Sequence, residues 1–552
     1  MDFNKIKLFA NTIKFLKPIQ IYYRLFYFFR DYFNQLFIYK HILNFLKKIK
    51  LYNFQENKIN LDTPRYRSLR WFDVIYNLKT YHGQNLFKFL NISHDFKNKI
   101  DWNFKENQDL WIYNLNYFEY LNQRNITFQE GLKLIEDFCA NYSHIKVGKN
   151  PFPTSLRIIN WIKFICKHKI YDSLIINILA FDVKRLSKNI EFHLLGNHLL
   201  ENAFALYFAG NFFGNKKLLK ISKNIIKKQL NEQILDDGGH FELSPMYHSI
   251  MLYRVLDCIN LLELNKINED KSFIIKLKSK AELMMGWLQN IRYKNGSLPL
   301  FNDSARGICP NSSKILNYFK KLNLVSNKRS LSDSGYRKFS GKNYEFVADV
   351  GAIGPSYQSG HGHADTFNFE FHINKIPIIV DTGISTYQIG PTRDLERSTK
   401  SHNTVSIEDR NSSQIWSSFR VGERANVWIT EDTNKQLKAF HDGYVSMNSV
   451  HTRCWKFTEN YIKISDNVTN KNHSSIASFH FHPDINFIKV DDKNITSDKF
   501  TISFTENITH ILINEYFYNE QFNKPKLAKK LCVKFKENLC TKIYINGNNN
   551  SI

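Results

Sequence analysis

Residues 360–383 read Gly-His-Gly-His-Ala-Asp-Thr-Phe-Asn-Phe-Glu-Phe-His-Ile-Asn-Lys-Ile-Pro-Ile-Ile-Val-Asp-Thr-Gly, and here the spacing of apolar residues is that of a β-sheet. Every second position is apolar over 367–373, which is typical of a strand with one buried face. Asn374-Lys375 indicates a two-residue turn that would pair Ile373 with Ile376. Segments 509–517 and 530–535 also have strand patterns. The C-terminal part is therefore predicted to be mostly antiparallel β.

Upstream, from about residue 62 to 325, apolar residues recur at steps of three and four, as they do along α-helices. Short loops with Asn, Gly and Pro separate the segments that show this spacing, which are 128–142, 155–168, 175–213, 217–230 and 246–264. A long run of antiparallel helices predicts a toroid or a solenoid of helical hairpins.

The chain of 552 residues exceeds the length at which a single core stops growing, so two or three domains are expected. Its net charge of +25 favours an acidic partner, which could be nucleic acid, anionic lipid or an acidic polysaccharide, although compositional drift would produce the same excess. The seven cysteines form no C-x-x-C pair and no zinc-finger spacing. Buried free thiols are therefore expected rather than a disulfide framework.

The N-terminal region is basic and aromatic, and lysines and arginines interrupt every apolar run that could act as the core of a secretory signal. Segment 18–47 could lie on a membrane surface, because aromatic and basic residues are interleaved along it. A helix docked on its own protein explains the pattern as well, and we favour that interpretation.

Two clusters of polar residues stand in the helical half. In the first, Asn197, His198 and Glu201 lie within one helical turn of each other behind Gly196, so that they can share a neighbourhood. A helix start with an asparagine cap and a satisfied histidine is the simpler interpretation of this cluster taken alone.

The second cluster covers residues 236–248. Ser244 followed by Pro245 predicts a helix start, with the serine as N-cap. Tyr247 would then stand in the first turn, where the positive end of the helix dipole favours a phenolate, so it could transfer protons. A buried tyrosine with a hydrogen-bonded hydroxyl is the alternative.

In the β half, His363, Asp381 and His402 offer two imidazoles and a carboxylate, a ligand set suited to zinc. His361 points to the opposite side of an extended backbone from His363, so one can serve a metal while the other faces a substrate. A regular hairpin would not bring Asp381 to His363. The metal hypothesis therefore requires a bulge or a bend between residues 363 and 368.

Over roughly residues 100 to 450, the motifs and their order resemble those of the heparinase II/III-like polysaccharide lyases, especially the branch often associated with bacterial surface-polysaccharide gene clusters. The motifs that carry the resemblance are Pro153-Thr154-Ser155-Leu156-Arg157, Gly196-Asn197-His198 with Glu201, residues 237–248, residues 360–365, and Arg397-Ser398-Thr399 leading to His402-Asn403-Thr404. The resemblance implies an α+β multidomain protein. It would comprise a helical segment 1–60, an incomplete (α/α) toroid over 61–330 and an antiparallel β-sandwich domain over 331–552.

The resemblance also implies roles for individual residues. Asn197 and His198 would contact the carboxylate of a uronic acid, Tyr247 and His361 would share proton abstraction and leaving-group protonation, and the sequence leaves open which of the two is the base. The zinc ligands would be His363, Asp381 and His402, with a mainly structural metal. Expected substrate-binding residues are Glu201 and Tyr387, and also Arg157, Arg393 and Arg397, because guanidinium groups pair with carboxylates and sulfates.

The implied activity is β-elimination from a uronate-containing polysaccharide, and an acidic glycan rather than nucleic acid then accounts for the positive charge. There are two alternatives. One is a zinc hydrolase that activates water. The other is a non-catalytic glycan-binding protein that is docked on a membrane by segment 18–47. Relatives imply the periplasm or cell envelope, and the missing signal core makes the cytoplasm the alternative.

Overall fold

The computed structural model describes residues 3–35, 61, 66–71, 75–265, 271–505 and 508–546. In this part of the chain a helical half is followed by a half built of β-sheets, as the change in periodicity predicts. The last helix of the first half ends at Lys321, and the first strand of the second half begins at Tyr336. The predicted boundary at residue 330 falls in the loop between them.

Helices dominate the chain as far as Lys321. They are α1 Phe3–Ile13, α2 Pro18–Gln35, α3 Asp109–Tyr117, α4 Phe128–Ala140, α5 Pro151–His168, α6 Ser173–Lys188, α7 Gly196–Phe212, α8 Lys216–Gln233, α9 Pro245–Asn265, α10 Lys271–Ile291 and α11 Ser312–Lys321. A small hairpin of strands β1 Leu86–Phe89 and β2 Ile92–Asp95 lies among them.

The helices form two layers. α5, α7 and α9 are buried on nearly every side and contact one another in succession, whereas α4, α6, α8 and α10 bury one face only. Helices that are apolar all round lie inside a protein, and helices with one apolar stripe lie outside. The alternation of inner and outer helices along the chain confirms the predicted (α/α) toroid.

The periodicity over 175–213 spans two helices, because the chain breaks between Lys188 and Gly196. Leu195 and Gly196 have φ angles of 64° and 57°, in the left-handed region where a right-handed helix cannot continue. The Asn202 side-chain oxygen accepts a hydrogen bond from the Glu191 N–H at 2.8 Å and so holds the connecting loop against α7. The break matters because it places residue 197 in the first turn of α7.

The second half consists of antiparallel sheets. Its strands are β3 Tyr336–Ser340, β4 Tyr344–Asp349, β5 Phe369–Ile373, β6 Ile376–Ile379, β7 Val405–Ile407, β8 Ile415–Trp416, β9 Arg420–Val421, β10 Val427–Asp432, β11 Gln436–His441, β12 His451–Phe457, β13 Tyr461–Val468, β14 Ser475–His480, β15 Ile488–Lys489, β16 Asn494–Thr496, β17 Phe500–Thr505, β18 Ile508–Tyr518, β19 Lys526–Phe535 and β20 Asn538–Ile545. The short helix α12, Pro391–Glu396, lies between β6 and β7.

The strands pair into an eight-stranded sheet, β10-β11-β12-β13-β20-β17-β16-β15, two four-stranded sheets, β18-β19-β14-β7 and β3-β4-β5-β6, and the β8–β9 hairpin. One apolar core contains residues of the eight-stranded sheet and of both four-stranded sheets, as expected of a β-sandwich. The strands predicted at 509–517 and 530–535 are β18 and β19. All seven cysteines are free, four of them buried and three half-buried.

The β5–β6 hairpin has the predicted turn. Asn374 and Lys375 have φ angles of 48° and 70°, and Ile373 pairs with Ile376. The bend that the metal hypothesis requires is also present, because Phe367 has a φ of 71°. This left-handed residue redirects the chain between the residue 360–365 loop and β5, so that Asp381 can approach the loop.

Helices α1 and α2 form an N-terminal strap, residues 3–35, across the two halves. Thr12 of α1 accepts a hydrogen bond from Trp416 Nε1 in β8 at 3.0 Å, and Tyr23 of α2 stacks on Phe192 with ring centroids 4.7 Å apart. The docked helix is confirmed for residues 18–35, and residues 36–60 lie outside the described part. Within the described residues no helix is long and apolar enough to cross a membrane, and membrane-surface contact stays a prediction.

Candidate active site

The first turn of α7 holds Asn197 in a fixed orientation. Its backbone N–H donates to Glu242 Oε1 at 2.8 Å, and its side-chain Nδ2 donates to Glu242 Oε2 at 2.7 Å. A Cβ at Gly196 would lie 2.4 Å from Glu242 Oε1, so glycine is needed for this approach. Asn197 Nδ2 also lies 3.4 Å from His361 Nε2, which joins the helical half to the loop of the β half.

The predicted helix start at Ser244-Pro245 is confirmed, because α9 begins at Pro245 and the Tyr247 N–H donates to Ser244 Oγ at 3.2 Å. The Tyr247 ring stacks on the His361 imidazole, with centroids 3.9 Å apart and planes inclined by 29°. Its hydroxyl lies 3.3 Å from the hydroxyl of Tyr387. The structure thus brings four predicted residues together: Asn197, Tyr247, His361 and Tyr387.

The environment of Tyr247 keeps its hydroxyl protonated. Burial raises the pKa of Tyr247 above its ordinary value, and the nearby carboxylates of Asp303 and Glu242 raise it further, although the hydrogen bond with Tyr387 acts in the opposite direction. In the protein without substrate, Tyr247 is therefore a neutral phenol that can donate a proton.

Asp303 is a site residue that the sequence interpretation missed. Its carboxylate is fully buried and contacts His361 Nδ1 at 2.8 Å, His363 Nε2 at 2.9 Å and the two terminal nitrogens of Arg393 at 2.6 and 2.7 Å. Although burial opposes ionisation, Arg393 and then the two histidines hold the pKa of Asp303 well below its ordinary value. The polar triplet Asn302-Asp303-Ser304 directly after Leu300-Phe301 was the available signal.

The bond to Asp303 defines the tautomer of His361. An ionised carboxylate only accepts hydrogen bonds, so His361 Nδ1 carries the proton, and Nε2 presents its lone pair towards Asn197. This is the arrangement required of a base that accepts a proton at Nε2.

The predicted metal ligands lie close together in the β half. His402 Nδ1 lies 2.8 Å from Asp381 Oδ2, and the rings of His363 and His402 have centroids 5.3 Å apart. Three buried residues, Asp365, Asp381 and His402, have possible metal-ligand atoms that all lie within 4.8 Å of one another. The sequence interpretation did not include Asp365. His363 lies beside this group.

Buried atoms around this group fit a cation. His363 Nδ1, His402 Nε2 and Asp365 Oδ2 find no hydrogen-bond partner among the described residues. Burial and then the charge of Asp349 raise the pKa of Asp365 well above its ordinary value, so a positive charge beside this carboxylate would favour its ionised form. His363 also bonds Asp303 through Nε2, and histidines that bind a metal through one ring nitrogen typically hold a carboxylate with the other.

Three predicted substrate-binding residues have structural roles instead. Arg157 is fully buried and pairs with Asp182 at 2.7 Å, because its helix lies in the inner layer of the toroid. Glu201 is 1% exposed, and its carboxylate accepts a hydrogen bond from Arg254 Nε at 3.0 Å. Arg397 is fully buried and donates to the Gly362 carbonyl at 2.9 Å, so it holds the His-Gly-His loop.

Arg393 also differs from expectation, and the His198 side chain is held by a carboxylate. Arg393 is fully buried and paired with Asp303, so it positions that carboxylate and is not exposed to a ligand. The His198 ring lies against Phe152 and 3.1 Å from Glu191, its side chain is 29% exposed, and its contact with substrate stays a prediction. Burial lowers the pKa of His198, but Glu191 outweighs it, so that the net shift is upward.

Two family models match the chain. The description "Heparinase II/III N-terminus" matches residues 182–330, and "Heparinase II/III-like, C-terminal" matches residues 324–546. Together the two matches span well over half of the 552 residues. The chain belongs to the heparinase II/III-like family. One relative, a heparin-sulfate lyase of Bacteroides stercoris, is 25% identical over 313 residues, which cover 51% of this chain and 45% of the relative.

A second heparin-sulfate lyase, from Pedobacter heparinus, is 25% identical over 39% of this chain and 36% of its own length. The chain therefore spans less than half the length of these curated relatives. A solved structure of heparinase III matches 94% of this chain and 92% of its own chain with a TM-score of 0.64 and 15% identity. The heparinase II/III-like fold thus extends over nearly the whole chain.

Proposed function

We propose that this protein is a polysaccharide lyase that cleaves the glycosidic bond at C4 of a uronic acid by β-elimination. The observation that carries the proposal is the convergence of His361 Nε2, the Tyr247 ring at 3.9 Å from that imidazole and the Asn197 amide at 3.4 Å from Nε2. These groups come from both halves of the chain and meet in one place. The names of the relatives, heparin-sulfate lyases, support the same reaction class.

In this reaction a base removes the C5 proton, the C5–H electrons form the C4=C5 double bond, and the C4–O bond breaks. The departing oxygen then takes a proton. His361, with Nδ1–H bound to Asp303, accepts the C5 proton at Nε2, and the neutral phenol of Tyr247 donates to the departing oxygen.

The Asn197 amide stabilises the charge that develops on the uronate carboxylate. Glu242 holds this amide through the backbone N–H and one side-chain N–H. The second side-chain N–H faces His361 Nε2 at 3.4 Å, and in the proposed complex it turns to the substrate carboxylate. A donor held in place before the reaction costs no reorganisation when charge develops.

We also propose that Zn²⁺ binds in the β half, held by Asp365, Asp381 and His402 together with His363. The atoms His363 Nδ1, His402 Nε2 and Asp365 Oδ2, which are buried without a hydrogen-bond partner, support a divalent cation there. The metal would supply positive charge that stabilises the fold around the 360–365 loop. His363 contributes to the site through Asp303, which bonds both histidines of that loop.

The proposed substrate is an acidic glycan that contains uronic acid, such as a glycosaminoglycan. The net charge of +25 would raise the local concentration of a polyanion at the protein surface. A location in the cell envelope fits such a substrate, and fractionation of the native host would test it.

The test is the appearance of the ultraviolet absorbance of a 4,5-unsaturated uronate when the protein is mixed with a panel of uronate polymers. Tyr247→Phe removes the proton donor and is expected to lower kcat by about 100-fold or more. Tyr344→Phe is the matched control, because it removes a hydroxyl from a residue that is 4% exposed in strand β4, away from the site. An absence of unsaturated product across the panel, or full activity of Tyr247→Phe, would refute the proposal.

A further inference from the structure

Strand β18 lies at the edge of its four-stranded sheet. It is eleven residues long and pairs with β19, and among the described residues no strand pairs with its other side. The one irregularity of its pairing with β19 lies at its start, between Ile508 and His510. The free edge ends at Asn519, whose N–H donates to the Thr382 carbonyl at 2.7 Å. A row of backbone N–H and C=O groups before residue 519 is therefore open to another strand.

The side chains of β18 are apolar and exposed on both faces of the strand. Leu512 is 53% exposed and Ile513 is 42% exposed, and successive residues of a strand point to opposite faces. Phe517 is 62% exposed, and directly opposite it on β19 lies Leu527, which is 56% exposed. A long, exposed and apolar edge strand is a place where another chain can add a strand.

Each other edge strand of the eight-stranded sheet and of the two four-stranded sheets has a feature that hinders such pairing. β15 is two residues long, and β7 is three residues long. β6 contains Pro377, β3 carries Arg337 and Lys338, and the pairing of β10 has a bulge between Ile429 and Glu431. Short length, proline, basic side chains and bulges are the means by which proteins protect sheet edges. β18 contains no lysine, arginine or proline, so its edge lacks this protection.

The order of residues along β18 indicates which partner fits its edge. Residues 509–515 read Thr-His-Ile-Leu-Ile-Asn-Glu, so that polar and apolar positions follow the same order in both directions from Leu512. If two copies of the strand pair antiparallel about a two-fold axis at Leu512, every residue faces one of its own class. The facing pairs are Leu512 with Leu512, Ile511 with Ile513, His510 with Asn514, and Thr509 with Glu515. An axis at Ile513 would instead place Ile511 opposite Glu515.

We propose that β18 is a contact surface between two copies of this chain, which pair through this strand about a two-fold axis at Leu512. The four-stranded sheets of the two copies then join into one continuous sheet. Pairing satisfies the open backbone groups of both edges and covers part of the exposed Leu512 and Ile513 side chains. The contact uses none of the groups proposed for elimination, so the two proposals are independent.

Sedimentation velocity of the full chain over a series of concentrations tests the association. The unmodified chain is expected to form dimers as its concentration rises. Leu512→Lys places two lysines opposite each other at the axis and is expected to raise the dissociation constant of the dimer about ten-fold or more. Ile488→Lys is the matched control, because Ile488 is 66% exposed on the edge strand β15. A chain that stays monomeric at about 0.1 mM, or a dimer that Leu512→Lys weakens no more than Ile488→Lys does, would overturn the proposal.

Cysteine cross-linking tests the position of the axis. The background variant is Cys532→Ser, because Cys532 lies opposite Leu512 within the chain. Facing residues of an antiparallel pair have Cα atoms about 4.5–5.5 Å apart, a distance that a disulfide spans. Leu512→Cys is therefore expected to give a covalent dimer on mild oxidation.

Asn514→Cys in the same background is the control for the cross-link, because its two copies would lie about 14 Å apart along the paired strands. It is expected to stay uncoupled. Equal cross-linking of both variants, or of neither, would overturn the pairing about Leu512. Thermal unfolding of each variant checks that it is folded.

Discussion

Replacing Asp303 by asparagine is expected to lower both stability and kcat. The Asp303 carboxylate is fully buried, and the two terminal nitrogens of Arg393 lie 2.6 and 2.7 Å from its oxygens. The asparagine side chain is neutral, so it leaves a buried guanidinium without its counter-charge. Removing one partner of a buried ion pair costs about 3–5 kcal/mol of unfolding free energy. The amide nitrogen of asparagine must in addition face an N–H of Arg393 or of a histidine.

The effect on kcat has a separate cause. Asp303 contacts His361 Nδ1 at 2.8 Å and thereby orients Nε2, and an amide oxygen cannot accept from Arg393, His361 and His363 at once. Loss of this orientation is expected to reduce kcat on the order of 100-fold. Arg393→Gln should cost similar stability but retain more of kcat, because Asp303 keeps its bonds to both histidines.

Urea unfolding followed by tryptophan fluorescence measures the stability, and formation of unsaturated product measures kcat and KM. Asp492→Asn is the control, because its side chain is 97% exposed. Unchanged stability together with unchanged kcat in Asp303→Asn would contradict the assigned role. Equal kcat losses in Asp303→Asn and Arg393→Gln would show that the effect is only structural.

Two further predictions concern the β half. Zinc analysis of the purified protein is expected to find about one ion per chain. The His402→Ala variant should lose this ion and melt at a lower temperature than the control His473→Ala, which changes a half-buried histidine. An unchanged melting temperature after chelation would argue against a structural metal. Although burial opposes it, Arg453 holds the pKa of Asp466 below its ordinary value, so this group contributes stability that is full above its unfolded pKa and is lost as the pH falls through the lower folded value. Asp466→Asn should flatten that acid limb of a denaturation series from neutral to acidic pH, and an unaltered limb would refute the assignment.

Local spacing was enough to predict the features that depend on neighbouring residues. The turn at Asn374-Lys375 follows from two residues that tolerate positive φ, and the start of α9 follows from a serine cap before proline. The metal hypothesis even predicted a bend before residue 368, which the structure places at Phe367. Motif order added the family and the residues Asn197, Tyr247 and His361.

The roles of the arginines could not be predicted in this way. An arginine in a motif can bind a ligand or stabilise the fold, and only the location of its carboxylate distinguishes the two. The partner of Arg157 is 25 residues away, and that of Arg393 is 90 residues away in the other half of the chain. Such pairs depend on how the toroid packs against the sandwich, which no local periodicity encodes.

The amino-acid sequence by itself thus indicated the two kinds of secondary structure, the family and four residues that lie together in the candidate site, because these follow from short-range periodicity and from motifs. The tertiary structure decided that Asp303 joins His361 to His363 and that Arg393 and Arg397 lie in the interior. The physical reason is that burial and charge pairing depend on distances in space between residues that are far apart along the chain.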